Sequence, residues 1–312
     1  MADTRPWAIF LMGPTAAGKT DTAMALHERL GHELISVDSA MVYRGMDIGS
    51  AKPSPAELSR APHHLIDIRD PATPYSAADF REDALSLMRQ ISAAGNVPLL
   101  VGGTMLYYKR LVEGVANLPA ADPVIRQQLE AKWQKEGLLS LHKRLAEVDA
   151  VSAQRIHPND PQRIMRALEV YYASGRPMSD LWAEQSRETF PWRVLSIVLA
   201  PSDRNLLHQR IATRFELMMA EGLINEVAAL KKRNDLHLGL PAMKSVGYRQ
   251  VWEYLEGEYD YATLVDRGVI ATRQLAKRQL TWLRSWPSLE WVDSERPDAL
   301  DKVLKIVRES GA

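Results

Sequence analysis

The chain has 312 residues, a length that suits one large domain with a sub-domain or two domains. Lysine plus arginine and aspartate plus glutamate both total 39, so a nucleic-acid partner must be recognised through local segregation of charge. The absence of cysteine excludes disulfides and thiolate zinc sites and suits a reducing cytoplasm. The first residues do not resemble a signal peptide, and no apolar run approaches the roughly 18 residues of a membrane span. We therefore expect a soluble cytoplasmic protein.

The first predicted elements are a strand, a glycine-rich loop and a helix. Trp7–Met12 is a short apolar run typical of a buried strand, and "TDTAMALHERLG" suits a helix that ends at Gly31. The loop between them fits the phosphate-binding pattern GxxxxGK followed by Ser or Thr. Its residues are Gly13, Pro14, Thr15, Ala16, Ala17, Gly18, Lys19 and Thr20. Lys19 would reach the outer phosphate and Thr20 would hold Mg²⁺, unless the pattern is a chance glycine turn.

Strand-like and helix-like segments alternate up to about residue 119. A helix is predicted from an N-cap at Ser76 to about Gly95. The strand candidates in this part are Trp7–Met12, Glu33–Val37, His64–Ile68 and Val97–Val101. Such alternation predicts an α/β fold with a parallel sheet covered by helices on both faces.

Strand signals disappear between residues 119 and 190, where the sequence is helix-rich, charged and interrupted at Gly137. We predict a helical insertion over 119–190 and a catalytic core formed by 1–118 and 191–312. A last clear strand, Arg193–Ala200, returns to the sheet, and the remainder is mostly helical.

The acid that an ordinary P-loop NTPase carries at a strand end to help hold Mg²⁺ is missing, because "VPLLVGGT" ends in Gly102, Gly103 and Thr104. Asp38 closes the second strand instead, on the edge of the sheet where ligands bind. It can accept a proton from a nucleophile or help hold metal, whereas the alternative is an ordinary turn aspartate. The two glycines allow either a close approach to substrate or simply a tight turn, and the residues alone leave these equally open.

A single-sign basic face is predicted on a helix near the end of the chain. "ATRQLAKRQLTWLRSWP", residues 271–287, contains four basic and no acidic residues. At 100° per residue, Arg273, Lys277 and Arg284 fall within roughly 40° of one another, opposite the apolar side chains. A solvated helix usually mixes both signs, so this face favours a polyanion such as RNA.

Two further segments combine features suited to RNA. In "HPNDPQRIMRALEVYYASG", Asp160 and Pro161 begin a helix that places Arg163 and Arg166 one turn apart. "PAMKSVGYRQVW" interleaves basic and aromatic residues, a mixture suited to phosphate contact and base stacking, although the aromatic residues could equally belong to the core.

Seven segments together resemble the tRNA dimethylallyltransferase family, whose members attach an isopentenyl group to the adenine next to the anticodon. They are "GPTAAGKT", "ISVDSAMVYRGMDIGSAKP", "VGGTMLYYKRL", "HPNDPQRIMRALEVY", "RFELMMAEGL", "MKSVGYRQVWEYL" and "ATRQLAKRQLTWLR". The resemblance covers nearly the whole chain. It implies a P-loop kinase-like core with a helical insertion, dimethylallyl diphosphate as donor, tRNA as acceptor and Mg²⁺ as metal. Without cysteine, the usual zinc finger of some members is not expected, and we expect a monomer.

Carried over by position, the resemblance implies three groups of site residues. The catalytic group is Lys19, Asp38 and Thr104. The diphosphate group is the loop from Gly13 to Thr20 together with Arg214, with Thr20 as the metal ligand. The tRNA group, to which the basic face adds its last three members, is Asp38, Ser39, Ala40, Met41, Thr104, Arg126, Gln162, Arg163, Ile164, Met165, Arg166, Met243, Lys244, Ser245, Val246, Gly247, Tyr248, Arg273, Lys277 and Arg284.

In the implied reaction, the phosphate loop binds the diphosphate, which is the leaving group. The carbon skeleton, not the phosphoryl group, is transferred to the acceptor. Lys19, the loop amides and Mg²⁺ on Thr20 offset the charge that develops as the allylic C–O bond breaks. Asp38 hydrogen-bonds the exocyclic amine of adenine and takes its proton as positive charge builds on nitrogen. The target base must leave its stack, while the basic faces bind the anticodon stem-loop.

Three other functions remain open from the residues themselves. A nucleotide or small-metabolite kinase would place ATP in the phosphate loop and use Asp38 as base, but it leaves the basic helix without a role. A prenyltransferase acting on free adenine nucleotide needs no RNA surface. An RNA-binding protein with a nucleotide switch would hydrolyse nucleotide slowly and leave the RNA unchanged.

Overall fold

The computed structural model describes residues 3–115, 118–120, 122–184 and 189–312. These residues form one six-stranded parallel sheet in the order β3-β2-β4-β1-β5-β6. The strands are β1 (Trp7–Met12), β2 (Glu33–Val37), β3 (His63–His64), β4 (Pro98–Gly102), β5 (Arg193–Ala200) and β6 (Glu290–Asp293). The helices are α1 (Lys19–Leu30), α2 (Pro55–Arg60), α3 (Ala77–Ala93), α4 (Met105–Glu113), α5 (Pro123–Glu136), α6 (Leu138–Val148), α7 (Ala150–Arg155), α8 (Pro161–Ser174), α9 (Met178–Ala183), α10 (Arg204–Glu221), α11 (Leu223–Lys231), α12 (Tyr248–Leu255), α13 (Tyr261–Arg284) and α14 (Ala299–Ser310).

The chain divides into two compact units. The first, Met1–Val112 with Phe190–Ala312, contains the sheet, and the second, Glu113–Thr189, contains α5 to α9. The second unit has its own hydrophobic core, in which Leu141 and Leu168 are fully buried. The helical insertion predicted over 119–190 falls in this part of the chain, and the interruption predicted at Gly137 is the junction of α5 and α6.

The sheet is buried on both faces because its central strands are almost entirely apolar. In β1, Phe10 and Met12 belong to one core cluster, while Ile9 and Leu11 belong to another, as the alternation of side chains along a strand requires. Burial on both faces is typical of parallel sheets covered by helices, which confirms the predicted α/β class. In the described part of the chain, no helix is both long and apolar enough to cross a membrane.

Four of the five predicted strands are confirmed, one is wrong, and the structure adds a strand that the sequence did not indicate. β1, β2 and β5 have the predicted bounds, and β4 lies one residue later than predicted. The prediction of a strand over His64–Ile68 is wrong, because Leu65 and Asp67 adopt left-handed φ values of 65° and 56° that end the extended chain. β6 was not predicted, because among its four residues only Val292 is buried and no apolar run marks it.

Three loops meet at the carboxyl edge of the sheet. The register pairs Met12 with Gly102 and Val37 with Gly102, so β1, β4 and β2 end side by side. The phosphate loop, the turn at Asp38 and the segment 103–104 therefore leave the sheet at neighbouring points. The fold brings together residues that are far apart in the sequence at the edge where ligands bind.

The start of α3 offers a test of the helix-capping prediction. Ser76 Oγ accepts hydrogen bonds from the N–H groups of Ala78 and Asp79, both at 3.2 Å, and the Asp79 carboxylate accepts from the Ser76 N–H at 2.7 Å. Ser76→Ala should lower the free energy of unfolding by about 1 kcal/mol, as measured by urea denaturation, because two helix N–H groups lose their acceptor. Ser86→Ala, at an exposed position inside the same helix, should change it by less than about 0.5 kcal/mol. Equal effects of the two substitutions would contradict the capping role.

Candidate active site

A cavity of about 670 Å³ opens at the carboxyl edge of the sheet. Its lining comes from the phosphate loop, the turn after β2, the residues after β4, the loops around residues 50 and 245, and helices α10 and α13. All of these belong to the first compact unit. Nine residues that the sequence assigned to catalysis or to diphosphate binding line this space: Thr15, Ala16, Ala17, Gly18, Lys19, Thr20, Asp38, Thr104 and Arg214.

The phosphate loop has the backbone conformation of an anion site. Its φ angle is 63° at Ala16 and 79° at Gly18, and Gly18 is the N-cap of α1. Gly13 leaves no room for a side chain, because an added Cβ would lie 2.2 Å from the carbonyl oxygen of Leu199. Gly13 and Pro14 are buried behind the cavity, whereas residues 15–20 line it. The N–H groups and dipole at the start of α1 therefore face the space that an anion would enter.

The ammonium group of Lys19 lies against the loop that carries it. Its Nζ donates to the carbonyl oxygens of Gly13 at 3.1 Å and Pro14 at 2.7 Å. The pKa of Lys19 is lowered to about 8, first by burial and then by the charge of Arg214, against an opposing contribution from Asp38. Burial also lowers the pKa of Arg214. A bound anion would favour the charged forms of both side chains.

Asp38 has the turn role that the sequence left open, and it also lines the cavity. Its Oδ1 accepts hydrogen bonds from the N–H groups of Ala40 at 2.8 Å and Met41 at 3.2 Å, which is the turn role. The residue is only half-buried and lines the cavity. Within the described part of the chain, Oδ2 makes no hydrogen bond, so one carboxylate oxygen fixes the turn and the other has no protein donor.

The segment after β4 requires glycine for packing. A Cβ at Gly102 would lie 2.1 Å from the carbonyl oxygen of Val37, and a Cβ at Gly103 would lie 2.2 Å from Nε2 of Gln279. The Thr104 Oγ1 accepts a hydrogen bond from the Ser39 N–H at 3.1 Å. Thr104 therefore ties this segment to the turn that carries the proposed proton acceptor.

Gln279 is a site residue that the sequence analysis missed. Its side chain is 8% exposed and lines the cavity from α13. Oε1 accepts from the Thr15 N–H, and Nε2 donates to the carbonyl oxygen of Gly103, both at 3.0 Å. On a helical projection, Gln279 lies in the middle of the apolar side of α13, where a polar residue needs a buried partner. That position was the available signal.

The basic face of α13 is largely as predicted. Lys277 and Arg284 are exposed, and neither makes an ion pair with another described residue. Arg273 is half-buried, with its Nη2 3.5 Å from the carbonyl oxygen of His208. Arg278, which the prediction left outside the face, is exposed and also lines the cavity. The uncompensated positive charge therefore reaches the cavity itself.

The segment 243–248 divides into lining and buried residues. Lys244, Ser245, Val246 and Gly247 line the cavity. Met243 and Tyr248 are fully buried, so their side chains form no part of the exposed surface. Burial of these two side chains argues against the predicted direct contact with tRNA.

The site residues predicted in the second unit show the same division. Arg126, Gln162 and Arg163 are exposed, whereas the side chains of Ile164 and Met165 belong to the core of that unit. Arg166 is engaged internally: its guanidinium donates to the carbonyl oxygen of Pro119 at 2.7 Å and pairs with the buried Glu169 at 3.2 Å. Only the first three present exposed side chains for a partner.

Comparison with known proteins establishes the family. The family model for IPP transferase matches residues 41–286. The tRNA dimethylallyltransferase of Chromohalobacter salexigens is 64% identical over 310 residues, which is 99% of each chain. The chain belongs to the IPP transferase family. The phosphate loop precedes the matched span, but the similarity to the Chromohalobacter salexigens protein extends over 99% of the chain.

Solved structures of the family agree with the fold. The full-length tRNA isopentenylpyrophosphate transferase of Bacillus halodurans is 34% identical with a TM-score of 0.69, covering 99% of this chain and 98% of that one. The corresponding enzyme of Staphylococcus epidermidis is 31% identical with a TM-score of 0.69, covering 98% and 100%. A eukaryotic dimethylallyltransferase acting on tRNA, 23% identical, has a TM-score of 0.81 and covers 98% of this chain and 79% of that one. The last likeness concerns the fold alone.

The lowered pKa of Lys19 makes anion binding depend on pH. Above about pH 8 the free protein loses the Lys19 proton, so a bound anion must recover it. The affinity for pyrophosphate should therefore fall by up to about tenfold per pH unit between pH 8 and 9.5, as measured by titration calorimetry at constant Mg²⁺. Lys19→Met should bind pyrophosphate more weakly, and its affinity should depend less on pH because the titrating ammonium is absent. The proton loss of pyrophosphate itself affects both proteins equally, so the difference between the two pH profiles reports Lys19. Parallel profiles would show that Lys19 is not the titrating group.

Proposed function

We propose that this chain transfers the dimethylallyl group from dimethylallyl diphosphate to the exocyclic amine of the adenine 3′ to the anticodon in tRNA, releasing diphosphate. The observation that carries the proposal is a cavity lined together by a phosphate loop, a carboxylate and Arg278, an exposed cation on the basic helix α13. The 64% identity to a tRNA dimethylallyltransferase supports it. Since tRNA is the acceptor, we propose a cytoplasmic location, and we propose that the protein is a monomer.

The diphosphate is the leaving group in this reaction, so its binding site must stabilise developing negative charge. Residues 16–20, which include Lys19, and Arg214 line the cavity and would supply amides, an ammonium and a guanidinium to it. On binding, Lys19 would exchange its carbonyl partners Gly13 and Pro14 for phosphate oxygens. Preorganised donors of this kind lower the barrier most when they are strongest towards the departing group.

The residues present fit a bound Mg²⁺. Thr20 lines the cavity at the start of α1, and among the described residues its hydroxyl has no hydrogen-bond partner. The described residues include no cluster of three or more acidic or histidine side chains that could hold a metal. Mg²⁺ commonly takes most of its ligands from water and substrate phosphates, so the Thr20 hydroxyl and a diphosphate suffice. When bound, the ion would neutralise part of the charge on the leaving group.

The acceptor amine loses its proton to Asp38. The hydrogen bonds from Ala40 and Met41 hold Oδ1, which leaves Oδ2 to accept from the amine. The amine of adenine is a weak nucleophile that gains positive charge as the C–N bond forms, and a fixed carboxylate then accepts the proton. Thr104 supports this arrangement through its hydrogen bond with the Ser39 N–H.

tRNA binding would use the exposed members of the predicted set. The adenine must leave its stack to reach the cavity, as in other base-modifying enzymes. The exposed Lys277 and Arg284 would supply phosphate contacts from α13, and the exposed Arg126, Gln162 and Arg163 would supply contacts from the second unit. The segment 244–247 and the turn 39–41 line the cavity next to the entering base.

One incubation tests the proposal against the other functions. Unmodified tRNA is mixed with radiolabelled dimethylallyl diphosphate and Mg²⁺, with free AMP as an alternative acceptor and ATP as an alternative donor. Label in tRNA alone is the expected result. Label in AMP, phosphate transfer from ATP, or slow nucleotide hydrolysis without RNA modification would each identify a different activity.

Asp38→Ala should reduce turnover by roughly 10²- to 10⁴-fold, because the proton acceptor is lost. Affinity for tRNA should change little, since the phosphate contacts lie elsewhere. Asp38→Asn, which keeps the size of the side chain and an oxygen for the turn, should lose a similar factor. Single-turnover rates and filter binding measure the two quantities. Near-normal turnover in either variant would remove Asp38 from the mechanism.

The basic face of α13 should contribute to tRNA affinity by neutralising phosphates. Lys277→Ala with Arg284→Ala should weaken tRNA binding and reduce the slope of log K against log salt by about 1 for each phosphate that is no longer neutralised. Binding is measured between about 50 and 200 mM salt. Lys302→Ala with Lys305→Ala on α14 removes the same charge from exposed positions and should leave the slope unchanged. If both double substitutions reduce the slope equally, the loss reflects net charge and not a phosphate contact made by the basic face.

A further inference from the structure

Two loop segments outside the phosphate loop line one part of the cavity, which we call the wall. The first comprises residues 49–51 and 53, which follow the Asp38 turn along the chain, and the second comprises residues 244–247. They come from parts of the sequence almost 200 residues apart and contribute no amide to the diphosphate site. The residue that fixes their relative position does not itself line the cavity.

A single carboxylate binds the start of the first segment and the residue that follows the second. Glu226, on α11, accepts hydrogen bonds through Oε2 from the N–H groups of Asp47 at 2.9 Å and Ile48 at 2.8 Å, and through Oε1 from the Gly49 N–H at 3.1 Å. The same Oε1 accepts from the hydroxyl of Tyr248 at 2.6 Å. Hydrogen bonds to an ionised group are short and strong, so four of them define one geometry for both loops.

The packing around this carboxylate leaves little freedom. A Cβ at Gly49 would lie 2.6 Å from the ring of Tyr248 and 2.8 Å from Leu223. Tyr248 itself is fully buried and begins α12 directly after the lining residue Gly247. The first loop is thus pressed against the residue that anchors the second. Neither Glu226 nor Tyr248 lines the cavity.

We propose that Glu226, acting through Tyr248, is a positioning residue for the acceptor nucleoside. The proposal rests on the proposed function, because it needs an acceptor base beside Asp38. The wall continues from the Asp38 turn and carries the exposed Lys244, whereas the diphosphate is held by the separate loop 15–20. Displacing the wall therefore alters how the base is presented to Asp38 and leaves the donor site intact.

Two substitutions test this role in the full-length protein. Glu226→Gln keeps the shape of the side chain but places an NH₂ group against backbone N–H groups or the tyrosine hydroxyl. Tyr248→Phe removes a single hydroxyl and keeps the buried ring, so it remains informative if Glu226→Gln does not fold. Glu256→Gln is the matched control, because Glu256 also accepts hydrogen bonds across α11 and α12, from Lys231 and Trp252, but does not line the cavity or accept from either loop segment.

The measurement is steady-state transfer of labelled dimethylallyl to an unmodified anticodon stem-loop, with each substrate varied in turn, together with pyrophosphate affinity. Glu226→Gln should lower kcat/KM for the stem-loop by about tenfold or more, since small misplacements of a reactant are costly. Tyr248→Phe should lower it by a smaller factor, and pyrophosphate affinity should stay within about twofold in both variants. Glu256→Gln should match the wild type in every measurement.

Proportional losses in acceptor and donor parameters would overturn the proposal, because they indicate general loss of structure. Unchanged acceptor kinetics in Tyr248→Phe and in folded Glu226→Gln would overturn it too. Absence of label transfer by the wild-type protein is a different outcome: it refutes the proposed function, and with it the acceptor role of the wall, before any variant is compared.

Discussion

The side-chain amide of Gln279 connects the two loops on which the cavity depends. It accepts from the Thr15 N–H of the phosphate loop and donates to the carbonyl oxygen of Gly103 after β4. Because the group is buried, water cannot replace either partner without cost. Gln279 lies on α13, the helix that also displays Lys277 and Arg284. One helix therefore sets the distance between the phosphate loop and the basic face that it carries.

The predictable parts of the fold are those specified by consecutive residues. The phosphate loop, strands β1, β2 and β5 and the cap at Ser76 each have a local pattern. β6 has none: its position depends on pairing with β5, and it buries only Val292. The turn at Leu65 and Asp67 could not be predicted either. "LIDIRD" alternates like a strand, and only the backbone conformation shows the two left-handed residues.

The candidate site was predictable in composition but not in the division of labour among its members. Segments such as 162–166 and 243–248 mix exposed side chains with buried ones, and burial is decided by tertiary packing that no local pattern describes. Lys19, Asp38 and Arg214 could be assigned from position and resemblance. Gln279 and Glu226 could not, because their partners lie on loops distant in the sequence. The most informative polar residues here are those that hold other residues in place.

The uncompensated cations of α13 have a further consequence in a chain whose formal net charge is zero. Their charge must be balanced by an acidic excess elsewhere on the molecule, so the protein is an electric dipole. Near a polyanion, such a dipole experiences a torque that turns its positive pole inward over distances of about one Debye length, roughly 10 Å at 0.1 M salt. Because the net charge is zero, the protein and the polyanion have no net repulsion at long range. At shorter range the field of the polyanion orients the protein before they touch.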